Sequence, residues 1–289
     1  MMPRNGPAVV LVLGGGKGGA GASTITANLT MLLMGRTNQP IGVIDAGIGP
    51  NATLSKLLGA GYASAGQCES AGLFEYLLDL TGLPQVKILM PNKLYLVPPG
   101  CLGTYAVHWH FSLLTSRFMN DPLKGADAFG EYILNKLTKL YASLGARLVL
   151  VDMPSGSLRP LVWAFVASAD VINIIALDGN AHVAETQETL DTVSQILRAV
   201  GNDHARVNLV VNRSLNIKGG GLLAHVPTAG INTFRLADSR EVRAWTDECG
   251  RPAILFARYA RGEDYRLWRS ELERLAKTVW NQVGEVLKS

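Results

Sequence analysis

Long apolar runs are missing from this 289-residue chain. Its strand-like stretches break at glycine or charge well before the roughly 18 to 20 residues a membrane span needs, and the N-terminal stretch lacks the charged flank and cleavage pattern of a signal peptide. A soluble, cytoplasmic protein with no transmembrane segment is expected. Cysteine is scarce: Cys68, Cys101 and Cys249 lie far apart with no C-x-x-C pairing. That spacing argues against a disulfide framework, a zinc site or an intrachain iron–sulfur cluster, and predicts three reduced thiols. No long basic run occurs either. Acids and bases are interspersed, and a net charge of +4 with a pI near 9.0 admits nucleic acid or an anionic membrane surface as partners without selecting one. Internal repeats and low-complexity segments are absent. What remains is 48% hydrophobic, enough to bury a full core, and strand-like and helix-like segments alternate from end to end. One α/β domain over 1–289 is expected.

The strand signals are runs buried on both faces. Pro7 to Leu13 is apolar and β-branched and ends in Gly14-Gly15-Gly16, after which Ile25, Leu29, Leu32 and Leu33 recur at helical spacing. Ile41 to Asp45 (IGVID) and the run RLVLVDMPSG each close on an acid, Asp45 and Asp152. Leu94 to Pro98, Val171 to Leu177, Val207 to Val211 and Ile254 to Phe256 read as further strands, the last of them short. Helices are predicted over Gly72 to Leu80, over the stripe Phe129, Ile133, Leu137, Leu140 and Leu144, and over Val183 to Val200. The closing stripe Tyr265, Trp268, Leu272, Leu275, Val279, Val283 and Val286 predicts a helix docked on the body. Together these imply a mainly parallel, doubly wound sheet covered by helices in three layers.

The segment KGGAGAST, Lys17 to Thr24, lies between the first strand and the first helix. A glycine turn there exposes successive backbone N–H groups at the positive end of a helix, where phosphate oxygens accept them. Two hydroxyls in the first helical turn, Ser23 and Thr24, strengthen the reading: Ser23 stands where a Mg2+ ligand is needed and Thr24 where a phosphate contact is. The lysine that normally precedes this Ser/Thr is missing, and Ala22 occupies its place.

The segment resembles the deviant Walker A loop, K-G-G-x-G-K-[ST], of the MinD/ParA family of dimerising ATPases, which have the P-loop NTPase fold. The resemblance implies ATP or ADP with Mg2+ on the backbone of Gly18, Gly19, Ala20, Gly21, Ala22, Ser23 and Thr24. It implies that Lys17 reaches across a nucleotide-sandwiched homodimer to the partner's phosphates. IGVID resembles the strand carrying the family's D-x-D switch, with Asp45 at the first acid and Gly47 at the second. LVLVDMPSG resembles Walker B, placing Asp152 beside the Mg2+ shell with Ser23. VNLVVNRS is similar to the strand whose Asn212 recognises adenine, with Arg213 beside it, and FRLADSREVRAWTDECGRPA to the nucleotide-side loop near the family's C-terminus. GASTIxANL, from Gly21, is similar to the TadZ/CpaE branch, which positions pilus machinery.

With Ala22 unable to neutralise phosphate charge and Gly47 unable to orient water, nucleotide binding with slow or lost hydrolysis is expected. The partner is then a polar, pilus or membrane-associated assembly, with ParA-like action on nonspecific DNA as the alternative. Arg235, Arg240, Arg243, Arg251, Arg258 and Arg261 would supply a DNA face, but Asp238, Glu241, Asp247 and Glu248 are threaded among them. His108-Trp109-His110 would suit a metal only on a strand and without neighbouring acids is read as partner surface. Ile217 to Gly221 lacks a following Ser/Thr helix start and is read as a flexible loop.

Overall fold

The computed structural model describes residues 6–16, 18–48, 52–60, 71–118, 122–153, 159–215 and 221–288. Its strands are β1 (Ala8–Gly14), β2 (Ile41–Asp45), β3 (Lys87–Met90), β4 (Leu94–Val97), β5 (Leu148–Met153), β6 (Val171–Leu177), β7 (Arg206–Ser214) and β8 (Asn232–Ala237). Its α-helices are α1 (Ala22–Met34), α2 (Thr53–Leu57), α3 (Leu73–Leu77), α4 (Thr104–Ser116), α5 (Pro122–Ser143), α6 (Arg159–Ser168), α7 (Val183–Ala199), α8 (Arg240–Arg243) and α9 (Glu263–Val286).

The strands form one eight-stranded sheet in the order β3-β4-β2-β5-β1-β6-β7-β8, parallel except for the β3–β4 pair at one edge. Every residue of β1, β2 and β5 is buried, which is why these strands read as continuous apolar runs. The pleat divides β1 between two cores. Val9, Leu11 and Leu13 face the layer of α3 to α7; Ala8, Val10 and Val12 face α1, α2, α8 and α9. The expected three-layer α/β fold is present.

Helix α9 docks as its stripe predicts, with Tyr265, Trp268, Leu272, Leu275, Val279 and Val283 all buried. Among the described residues, no helix is long and apolar enough to cross a membrane.

Two expectations are corrected, one on a strand and one on the thiols. Ile254 to Phe256 is not a strand: Pro252 precedes a single 3-10 turn, and the Ile254 N–H donates to the Asn28 side chain rather than to a ladder. The last strand is instead β8, whose NTFRLA alternates polar with apolar because it is an edge, so no apolar run announces it. His108-Trp109-His110 lies within helix α4, so its alternate residues do not share a face as on a strand. No group of three or more metal-binding side chains forms among the described residues. Cys101 is disulfide-bonded and Cys249 is a free, exposed thiol, so the expectation of three reduced thiols fails. The loop at 217–220 lies outside the described residues.

Candidate functional site

The carboxyl ends of the parallel strands meet at one edge of the sheet, and every element of the site is delivered there. β1 runs into a glycine turn fixed on β6 by the Gly15 N–H, which donates to the Ile175 carbonyl at 2.8 Å. Gly16, Gly19 and Gly21 all have φ near +90°, a conformation that side chains with a Cβ resist. At Gly21 the need is also steric, because a Cβ there would sit 2.4 Å from Asn212 Nδ2. Helix α1 then begins with Gly21 as N-cap, no side-chain cap and no acid in its first turn. Its first N–H groups are therefore available to an anion and not answered by a side chain. Gly18 and Gly19 are exposed, Ala20 and Ala22 buried, and Ser23 and Thr24 half-buried. Lys17 lies outside the described residues.

Asp45 and Asp152 end their strands in register with each other. Asp45 is fully buried, taking the N–H and hydroxyl of Ser55 on Oδ2 (2.8 and 2.7 Å) and the Gly47 N–H on Oδ1 (3.0 Å). Burial raises its pKa, against those bonds. Asp152 Oδ1 accepts from Thr26 Oγ1 at 3.1 Å, and the Ser23 hydroxyl also donates to this carboxylate. Burial, and next the facing Asp45, push Asp152 up to about 7. Two crowded carboxylates beside a serine hydroxyl at the foot of an anion cradle form a hard-oxygen donor set that a divalent cation would relieve. That set suits Mg2+, which takes few protein ligands and completes its shell with water and phosphate oxygens.

On the other side of the loop is a cleft lined by Gly21, Thr24, Ile25, Asn212, Arg213, Asp238, Val242, Arg243, Thr246 and Trp268, among others. A bulge between Val211 and Ser214 lifts Asn212 and Arg213 out of the β7–β8 ladder. Arg213 is left-handed (φ 54°) and exposed, while Asn212 is buried and donates to the Ala20 carbonyl at 2.8 Å. The two residues expected near a base thus do line this cleft, and Asn212 is in addition bonded to the phosphate loop.

The sequence reading missed the supports. Asn28, fully buried on α1, donates to the Thr24 carbonyl and accepts the Ile254 N–H. Thr26 and Ser55, which bond Asp152 and Asp45, are likewise unmarked in the sequence. For Asn28 and Thr26 a signal existed, since both are polar residues at core-facing positions of an apolar helix. The arginine face is partly spoken for: Asp238 pairs with Arg243 at 3.1 Å, and Glu241 accepts the backbone N–H groups of Arg261 and Gly262.

No family model matches the sequence, and no curated protein is similar to it at the level of sequence. Solved structures do match. A Cyanothece McdA variant in complex with ATP shares 17% identity and a TM-score of 0.70, covering 95% of this chain and 96% of that one. The septum site-determining protein MinD from Pyrococcus horikoshii, complexed with Mg-ADP, has 17% identity and a TM-score of 0.61 over 97% of this chain and 98% of that one. A ParA family ATPase from Chlorobium tepidum has 15% identity and a TM-score of 0.64 over 93% and 98%. The fold is therefore the P-loop α/β fold of MinD/ParA ATPases. Its structural neighbours are members of that family.

Proposed function

We propose that this protein is a nucleotide-gated positioning protein: it binds ATP with Mg2+, dimerises around the nucleotide, and in that state recruits a polar, pilus or membrane-associated partner. The observation that carries this is the coexistence of an uncapped helix start on a glycine cradle with an uncharged Ala22 and Gly47 beside it. The cradle and the Ser23, Asp45 and Asp152 oxygens suit Mg2+ and a triphosphate in the ground state. The residues that would stabilise developing charge and aim the attacking water are missing. Nucleotide bound without rapid turnover is a long-lived signal, and a long-lived dimer is a scaffold. Ser23, Asp45 and Asp152 would hold Mg2+, which would supply neutralisation of phosphate charge; Gly18 to Thr24 would hold the phosphates, and Asn212 would orient the base.

Light scattering on the purified protein tests this. A shift from monomer to dimer on addition of ATP and Mg2+, lost in Lys17→Ala, is expected, with phosphate release well below about one per second. A dimer indifferent to nucleotide and to Lys17→Ala, or release at ordinary ATPase rates, overturns the reading.

A further inference from the structure

The core side of the short helix α2 consists of Leu54, Ser55 and Leu57, and the serine among them is 0% exposed. A hydroxyl withdrawn from water at such a place is costly unless it is bonded. Its partner is Asp45, at the end of β2.

That bond is one of three the carboxylate receives. Ser55 donates twice to Oδ2, from its N–H at 2.8 Å and from Oγ at 2.7 Å, while the Gly47 N–H donates to Oδ1 at 3.0 Å. An ionised carboxylate oxygen offers about two acceptor sites. Among the described residues, Oδ2 is therefore filled and Oδ1 keeps one site to spare. The arrangement serves both elements, because Ala52 at the head of α2 has no side chain to cap the helix, and the Ser55 N–H, one of the amides a helix start leaves unpaired, is answered by Asp45 instead. The carboxylate holds α2, and α2 holds the carboxylate.

Gly47 stands where the D-x-D pattern has its second acid, so Asp45 is the one carboxylate this pattern brings to the oxygens of Asp152 and Ser23. Its orientation then matters more. Crowded carboxylates repel when both are ionised, and one free to rotate about its last bond would turn away from its neighbour. Donors from α2 and from the turn after β2 prevent that rotation. We infer that Ser55 is a positioning residue for the Mg2+ site, fixing Asp45 so that Oδ1, and not Oδ2, is the oxygen left for the cation and its water shell. This rests on the nucleotide-binding reading above and adds to it a residue of α2, so that the helix and the cation site share one carboxylate.

Isothermal titration of the full chain with ADP, once with Mg2+ and once with EDTA, tests it in wild type, Ser55→Ala, Asp45→Asn and the double variant, with melting curves to show that each is folded. The quantity read is the ratio of the two Kd values for each protein. A loss of packing alone lowers Tm and leaves that ratio where it was. Wild type is expected to bind ADP more tightly with Mg2+. Losing a group that orients a metal ligand costs about tenfold or more in metal affinity, so the gain from Mg2+ should fall about tenfold in Ser55→Ala. In the Asp45→Asn background Ser55→Ala should change it no further, because the serine acts through that carboxylate. A Ser55→Ala gain equal to that of wild type, a second fall of the same size in the double variant, or a wild type indifferent to Mg2+ overturns the inference while leaving nucleotide binding intact. If the Asp45→Asn variants do not fold, the Ser55→Ala ratio decides alone. If ADP does not bind wild type at millimolar concentration under either condition, the nucleotide reading itself falls and this inference with it.

Discussion

At position 22 a buried methyl group stands where the deviant Walker A pattern has a lysine, and at position 47 a glycine donates its N–H to Asp45 where the D-x-D pattern has an acid. On the proposed function both positions act on one transition state, so substitutions that restore them should not be additive. Ala22→Lys alone should tighten ATP binding yet recover little hydrolysis. Combined with Gly47→Asp it should raise phosphate release by more than the product of the single gains, as read from a steady-state phosphate assay. Asp152 allows a second prediction. A carboxyl that holds its proton more tightly in the fold than in the unfolded chain stabilises at low pH, and that stabilisation is lost as pH climbs from its ordinary value near 3.8 through about 7. The nucleotide-free protein should therefore melt progressively lower across that window. Asp152→Asn should flatten the trend and, above pH 7, melt at a higher temperature than wild type. A wild-type melting profile parallel to that of Asp152→Asn would contradict this. Asp45, Asp152 and Asn212, near strand ends, and Ser23, in the first turn of α1, were legible because each falls in a recognisable residue pattern.

Among the elements, α1 both begins the anion cradle and is tied down along its length. Asn28 joins it to the turn at Ile254, bonding the Ile254 N–H at 2.8 Å and the Thr24 carbonyl at 2.7 Å. Asn28→Ala leaves a backbone N–H near the core without its acceptor, a loss of roughly 1 to 3 kcal/mol, which differential scanning calorimetry should register as a fall in Tm of on the order of 5 °C. The same bond explains why the sequence misleads at 254–256: a short apolar run was read as a strand, but its amide is taken by a side chain 226 residues away. Buried parallel strands announce themselves through unbroken Val, Ile and Leu. Edge strands do not: β8 mixes polar with apolar residues, and β3 is only four residues long with Ile88 and Met90 exposed. Helix α4 shows the limit from the other side. Val107, Phe111 and Leu114 form its buried stripe, yet the histidines around Trp109 draw the eye to an alternation that a helix does not use.

For the whole molecule, the diluted arginine face predicts that any DNA binding is weak and falls steeply with salt in a fluorescence-polarisation titration, because few phosphates can be neutralised at once. Tight binding persisting at high salt would point instead to ParA-like action on DNA. The strand order carries a separate consequence, for how the chain comes to be folded at all. β1 occupies the middle of the sheet, but its neighbours are β5 and β6, so Ala8 must find Leu148 and Val10 must find Val171. During synthesis the first strand waits on the order of ten seconds for its partners to leave the ribosome. Through that interval an apolar seven-residue segment with both flanks unpaired is exposed to any other unfinished copy. Contacts this distant in sequence also slow refolding. The central position that gives the phosphate loop its rigid base thus makes the N-terminal third of the chain dependent on the remainder, and a nascent chain halted before β5 is the state most in need of a chaperone.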